Sequence, residues 1–164
     1  MIAEPPPAEI PPLETLEVLS VGLPFCLFKI AAGVVFRSGG GARGAAGTVL
    51  IAFGVVDLLF NGANLAGLVL LRRRILDACL LSFAARRLQS PTRKSRRTLQ
   101  DFGNSMDVLI SFSLVAYMVG AGRLSALPPW LLTFWNAAVV FNVLGAGLGR
   151  FSESFRNLSE NGSA

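Results

Sequence analysis

The sequence contains no histidine. That excludes imidazole acid–base chemistry, histidine metal ligation and haem held through histidine. Cysteine is scarce: Cys26 and Cys79 stand far apart with no CxxC or zinc-like spacing, so neither a disulfide framework nor a metal site is indicated. Each reads as a small buried hydrophobe. Charge is also sparse. Only 15% of the residues are Asp, Glu, Lys or Arg, against roughly 25% in a soluble domain. The patterns GxSxG, HExxH, Walker A and strand-borne GxGxxG are missing. The glycine-rich stretch Gly39–Gly44 lacks the Lys-Ser/Thr of a phosphate loop. A non-enzymatic role with no metal and no cofactor is therefore the expectation. The N-terminus has no basic leader region; its early charges are Glu4, Glu9, Glu14 and Glu17, so no signal cleavage is expected.

What fills the space is apolar. The 164 residues are 52% hydrophobic and mean hydropathy is +0.57. Four apolar runs emerge: Val18 to Phe36, Ala45 to Leu71, Ser105 to Gly122 and Trp130 to Leu148. A helix of about 20 apolar residues spans the roughly 30 Å hydrocarbon core of a bilayer. The spacing predicts an all-α fold, a four-transmembrane-helix antiparallel bundle of two hairpins, over 16–150. The first hairpin closes through the glycine-rich turn and the second through Leu127-Pro128-Pro129. Pro24 falls in the first turns of its helix, where a kink is tolerated. The flanks, 1–15 and 151–164, read as a disordered Pro-rich tail and a polar tail. Glu17-Val18-Leu19 parallels Asp107-Val108-Leu109, and Phe60-Asn61 parallels Phe141-Asn142, which suggests a weak 2+2 repeat.

Between the hairpins lies a basic stretch, 72–104. Arg72, Arg73 and Arg74 open it, and Arg93, Lys94, Arg96 and Arg97 follow the Ser90-Pro91 helix breaker. Within it, Ile75 to Leu88 mixes apolar and charged residues, as in a prolonged second helix or an amphipathic interfacial one. The positive-inside bias puts this stretch and both termini in the cytoplasm, giving a multi-pass protein of the cell (inner) membrane. Juxtamembrane arginines attract anionic lipid by about 1 kcal/mol each. The stretch thus predicts contact with membrane lipids or a partner protein. Phe83 and Phe102 alone make a poor stacking surface, so nucleic acid is not an expected partner.

Lys29 and Asp57 are the informative residues, because an ionisable group inside a bilayer costs at least about 2.5–3.5 kcal/mol and turns inward. Counted from their shared turn, their depths differ by about 6 Å at helical rise. Gly22, Cys26, Lys29 and Gly33 share one face of the first helix; Gly54, Asp57, Asn61 and Asn64 share one face of the second. The predicted intramembrane polar cluster is Lys29, Asp57, Asn61 and Asn64. Gly22, Gly33 and Gly54, with Asn142, Gly145 and Gly149 of the fourth helix, are the predicted packing positions. Asp107 and Ser111 share a face near the cytoplasmic end of the third helix. Two roles fit: a structural or accessory subunit, forming a homo-oligomer or joining a larger membrane complex, or a small transporter or channel using Asp57 with Lys29. A bundle this small leaves little room for a cavity in one protomer, so a path between protomers is expected.

Overall fold

The computed structural model describes residues 12–77, 79–88 and 93–161, and the secondary structure within them is entirely helical. α1 (Pro12–Glu17) passes through a π-helical turn, Val18–Gly22, into α2 (Leu23–Arg37). α3 (Gly41–Leu71), α4 (Leu80–Leu88), α5 (Arg93–Gly120), a 3-10 turn at Arg123–Ala126 and α6 (Pro129–Asn161) follow. Four segments are long and apolar enough to cross a membrane: Thr15–Arg37, Gly41–Leu71, Asp101–Gly120 and Pro129–Leu148. The expected tail over 1–15 is corrected at its end: residues 12–15 are helical, with Pro12 at the first position, where a missing N–H is harmless. Residues 1–11 lie outside the described residues. The polar segment from residue 151 prolongs α6 to Asn161.

α2 is the hub. Its span is 61% buried, against 22% for each of the other three. α3 packs most extensively along it, α6 packs on α2 and the π-helical turn, and α5 packs chiefly on α4 and less on α2. The two halves are therefore not used equivalently, and the 2+2 repeat remains a likeness of sequence. Phe25, Phe28, Ala31, Ala32 and Val35 of α2 meet Met118 of α5 and Leu131, Trp135 and Ala138 of α6 in one apolar core.

α3 is built inside out. Gly47, Gly54, Asp57, Asn61, Asn64 and Gly67 are buried, while Val49, Val55, Leu59, Val69 and Leu70 are exposed. In water such a helix would expose the wrong face; in lipid the apolar face is the solvated one and the polar face must find protein. Glycine sets the approach. A methyl on Gly54 would lie 3.0 Å from the Cys26 carbonyl and 2.8 Å from the Ile30 side chain, and one on Gly33 would lie 2.8 Å from the Gly47 carbonyl. Gly22 faces Asn61, and Gly145 faces Ser20. Gly149 lies in α6, outside the residues whose surroundings are described.

The π-turn has a local cause. Pro24 has no N–H to give the Ser20 carbonyl, and its ring crowds that carbonyl. The helix widens there, and Leu23 N–H reaches back to Val18. The freed Ser20 carbonyl instead accepts the Asn142 amide at 3.0 Å. Asn142 thus fastens α6 to the point where proline opens α2.

Candidate functional site

Facing α2 and α3 bring Lys29 and Asp57 together, and α5 adds a third group. Lys29 is wholly buried, and its ammonium donates to Asp57 Oδ2 at 2.5 Å and to Asp107 Oδ1. It also stands 4.3 Å from the centroid of the Phe53 ring, which adds a cation–π contact. The remaining Asp57 oxygen, Oδ1, accepts the Leu80 N–H at 2.6 Å at the start of α4. The positive end of that helix therefore points at the carboxylate. Asn61 donates to the Asp57 carbonyl at 2.9 Å and to Cys26 Sγ at 3.6 Å. Asp107 was expected near a helix end because the third span was started at Ser105. The helix begins at Arg93 and its apolar span at Asp101, about one turn before Ser105.

The segment after α3 is corrected more strongly. It does not prolong the second helix, which ends at Leu71. Arg72 adopts the left-handed conformation, φ 52°, and reverses the chain. The chain then retraces α3 inward, with Ile75 against Gly67. Asn64 Oδ1 accepts the N–H groups of Ile75 and Leu76 at 3.1 and 2.7 Å, and its amide donates to the Asp77 carbonyl at 3.2 Å. Leu80 reaches Asp57, fourteen residues before the end of α3, a retreat of roughly 21 Å at helical rise. Irregular backbone at such depth survives only where protein or water satisfies it. Asn64 and Asp57 supply that. Asn64 binds backbone of this re-entrant segment rather than a side chain of another span, and Asp57 binds it in addition to Lys29.

Cys79, Ser82 and Asn104 hold the segment to α5. Ser82 Oγ donates to Asn104 Oδ1 at 2.5 Å, and Cys79 Sγ lies 3.0 Å from Ser82 Oγ. Gly103 lets α4 lie close, since a methyl there would meet the Ser82 backbone at 2.7 Å. Burial pushes the Cys79 thiol above its ordinary range, against the lowering effect of its Ser82 hydrogen bonds.

A cavity of about 100 Å³ opens above the charged cluster. Glu17 and Arg74, joined by a 2.6 Å ion pair, border it together with Asn61, Cys79, Asn104 and Asp107. It lies within one chain. Below Lys29, toward the α2–α3 turn, the apolar core closes the bundle. One turn along α5 from Asp107, the buried Ser111 hydroxyl has no hydrogen-bond partner among the described residues. Of the basic residues, Arg72 and Arg73 are exposed and Arg74 is drawn to Glu17; the side chains of Arg93, Lys94, Arg96 and Arg97 lie outside the described residues. Among the described residues no cluster of three metal-ligating side chains occurs.

The cluster carries one positive and two negative formal charges. Its neutral state holds one further cation or proton. Comparison with family models, with curated proteins and with solved structures yields no match.

Proposed function

We propose that the chain is a small multi-pass cation transporter or channel of the cell membrane, without enzymatic activity, whose path runs through Lys29, Asp57 and Asp107. The observation that carries the reading is the surplus carboxylate. Lys29 answers two buried aspartates, one of which, Asp107, borders a cavity that reaches Glu17 and Arg74. Helix packing alone gives no reason for this. A buried ion pair is often no more stabilising than apolar residues of the same volume, and a second acid adds uncompensated charge. Intramembrane charges of this kind mark ion and proton pathways. The positive-inside bias turns the cavity, both termini and the basic stretch toward the cytoplasm. Arg72 and Arg73, exposed beside it, suit contact with anionic head groups.

Reconstitution in liposomes tests this. An imposed cation or pH gradient should dissipate faster with wild-type protein than in protein-free vesicles, and Asp107→Asn and Asp57→Asn should return the rate to background. Wild-type flux at background, or undiminished flux in both variants, would leave only a structural or accessory role.

A further inference from the structure

Three of the four carboxylate oxygens in the cluster are occupied. Asp57 Oδ2 and Asp107 Oδ1 receive the Lys29 ammonium, and Asp57 Oδ1 receives the Leu80 amide. The fourth, Asp107 Oδ2, has no hydrogen-bond donor among the described residues. The residue is only 8% exposed, and it is the member of the triad that lines the cavity. Lining the cavity, this oxygen is open to water there, which can meet it where no protein donor does.

The surroundings discriminate between ligands. A hard metal cation stripped of water takes about six oxygen ligands. Here an ammonium already fills the space between the two carboxylates. The Asn104 carbonyl oxygen is engaged by Ser82, and the Asn61 amide nitrogen is turned to the Asp57 carbonyl and Cys26. A proton needs a single lone pair, and one proton cancels the surplus charge. We propose that Asp107 Oδ2 is a reversible binding site for one proton drawn from water in the cavity, with Lys29 and Asp57 remaining paired. The step forms one O–H bond, takes the proton from a hydronium ion and turns a carboxylate into a neutral acid. The groups facing Asp107 are Lys29 and Cys26 from α2, Asp57 from α3 and Cys79 from the re-entrant segment, with Glu17 and Arg74 sharing the cavity. The inference narrows the cation of the proposed path to H⁺ and rests on that reading for its purpose, but the binding event stands without transport.

Infrared difference spectroscopy of the full chain in lipid nanodiscs tests it. As pH is lowered, one carbonyl band of a protonated carboxyl should grow and should shift in D₂O. The band should vanish in Asp107→Asn, persist in Glu17→Gln and move its midpoint in Asp107→Glu. Replacing Na⁺ by K⁺ or choline at constant ionic strength should leave it unchanged. A band that survives Asp107→Asn, a band displaced by Na⁺, or no titrating band in wild type would each overturn the assignment. If Asp107→Asn fails to fold, Asp107→Glu decides: an unmoved midpoint also overturns it. A titrating band without vesicle flux would sink the transport reading and spare this one; metal-cation flux without the band would do the reverse.

Discussion

Replacing Lys29 by methionine keeps the length of the side chain and removes its charge. Two carboxylates would then face each other in the bundle, Asp57 with only the Leu80 amide and Asp107 with no donor. Breaking a buried pair by deleting one partner typically costs about 3–5 kcal/mol, because the remaining charge is uncompensated. At 1.36 kcal/mol per decade, the folded-to-unfolded ratio should fall by roughly two to four orders of magnitude. The triple variant Lys29→Met, Asp57→Asn, Asp107→Asn separates this effect from lost packing. It removes all three charges, and an amide oxygen at position 57 can still accept the Leu80 N–H. It should recover most of the lost stability. The assay is denaturant unfolding in detergent micelles, followed by Trp135 fluorescence in a Trp130→Phe background, since Trp135 is buried in the core and Trp130 is exposed. A loss below about 1 kcal/mol for Lys29→Met, the size of an exposed surface pair, would refute the reasoning. So would a triple variant no more stable than the single one.

Other perturbations probe separate parts of the fold. Asn64→Leu should strand two backbone amides and a carbonyl, each bond being worth about 1 kcal/mol, and hydrogen exchange at Ile75 and Leu76 should accelerate while the α2 core stays protected. Cys79, in a Cys26→Ala background, should stay a protonated thiol at neutral pH and alkylate more slowly than a free cysteine, gaining rate only at more alkaline pH; mass spectrometry showing free-thiol reactivity would mean the segment is not buried. Leu59→Arg should lower membrane insertion by about 2.5–3.5 kcal/mol in a glycosylation-mapping assay, because Leu59 is on the exposed apolar face. Asn142→Leu should leave the Ser20 carbonyl unanswered and destabilise the contact of the π-helical turn with α6 by about 1–3 kcal/mol, read from the same unfolding curves.

Much of the scaffold was legible because lipid leaves a coarse signature. Long apolar runs, a glycine turn and a proline corner are local features, and they located the four apolar spans to within a few residues. Lys29 and Asp57 stood out for the same reason, as charges where charge is expensive. The rest depends on non-local pairing. Starting the third span at Ser105 put Asp107 at a helix end, where an acid needs no partner. Counting charges would have flagged it: one intramembrane lysine against two aspartates leaves an acid unanswered. The re-entrant course of 72–77 left no periodic trace. Asn64 looked like glue between helices, and only the folded chain shows that it satisfies backbone of a segment eleven residues later.

The position of α2 among its partners bears on how the protein is made. In chain order it precedes α3, α5 and α6, so Lys29 leaves the ribosome ahead of both aspartates. Its ammonium lies in the segment that is also the most apolar of the four spans. That surplus of hydrocarbon offsets the penalty of the charge and favours the helix in the membrane. Asp57 and then Asp107 follow in chain order, so the cation of the charged centre is made before its two anions.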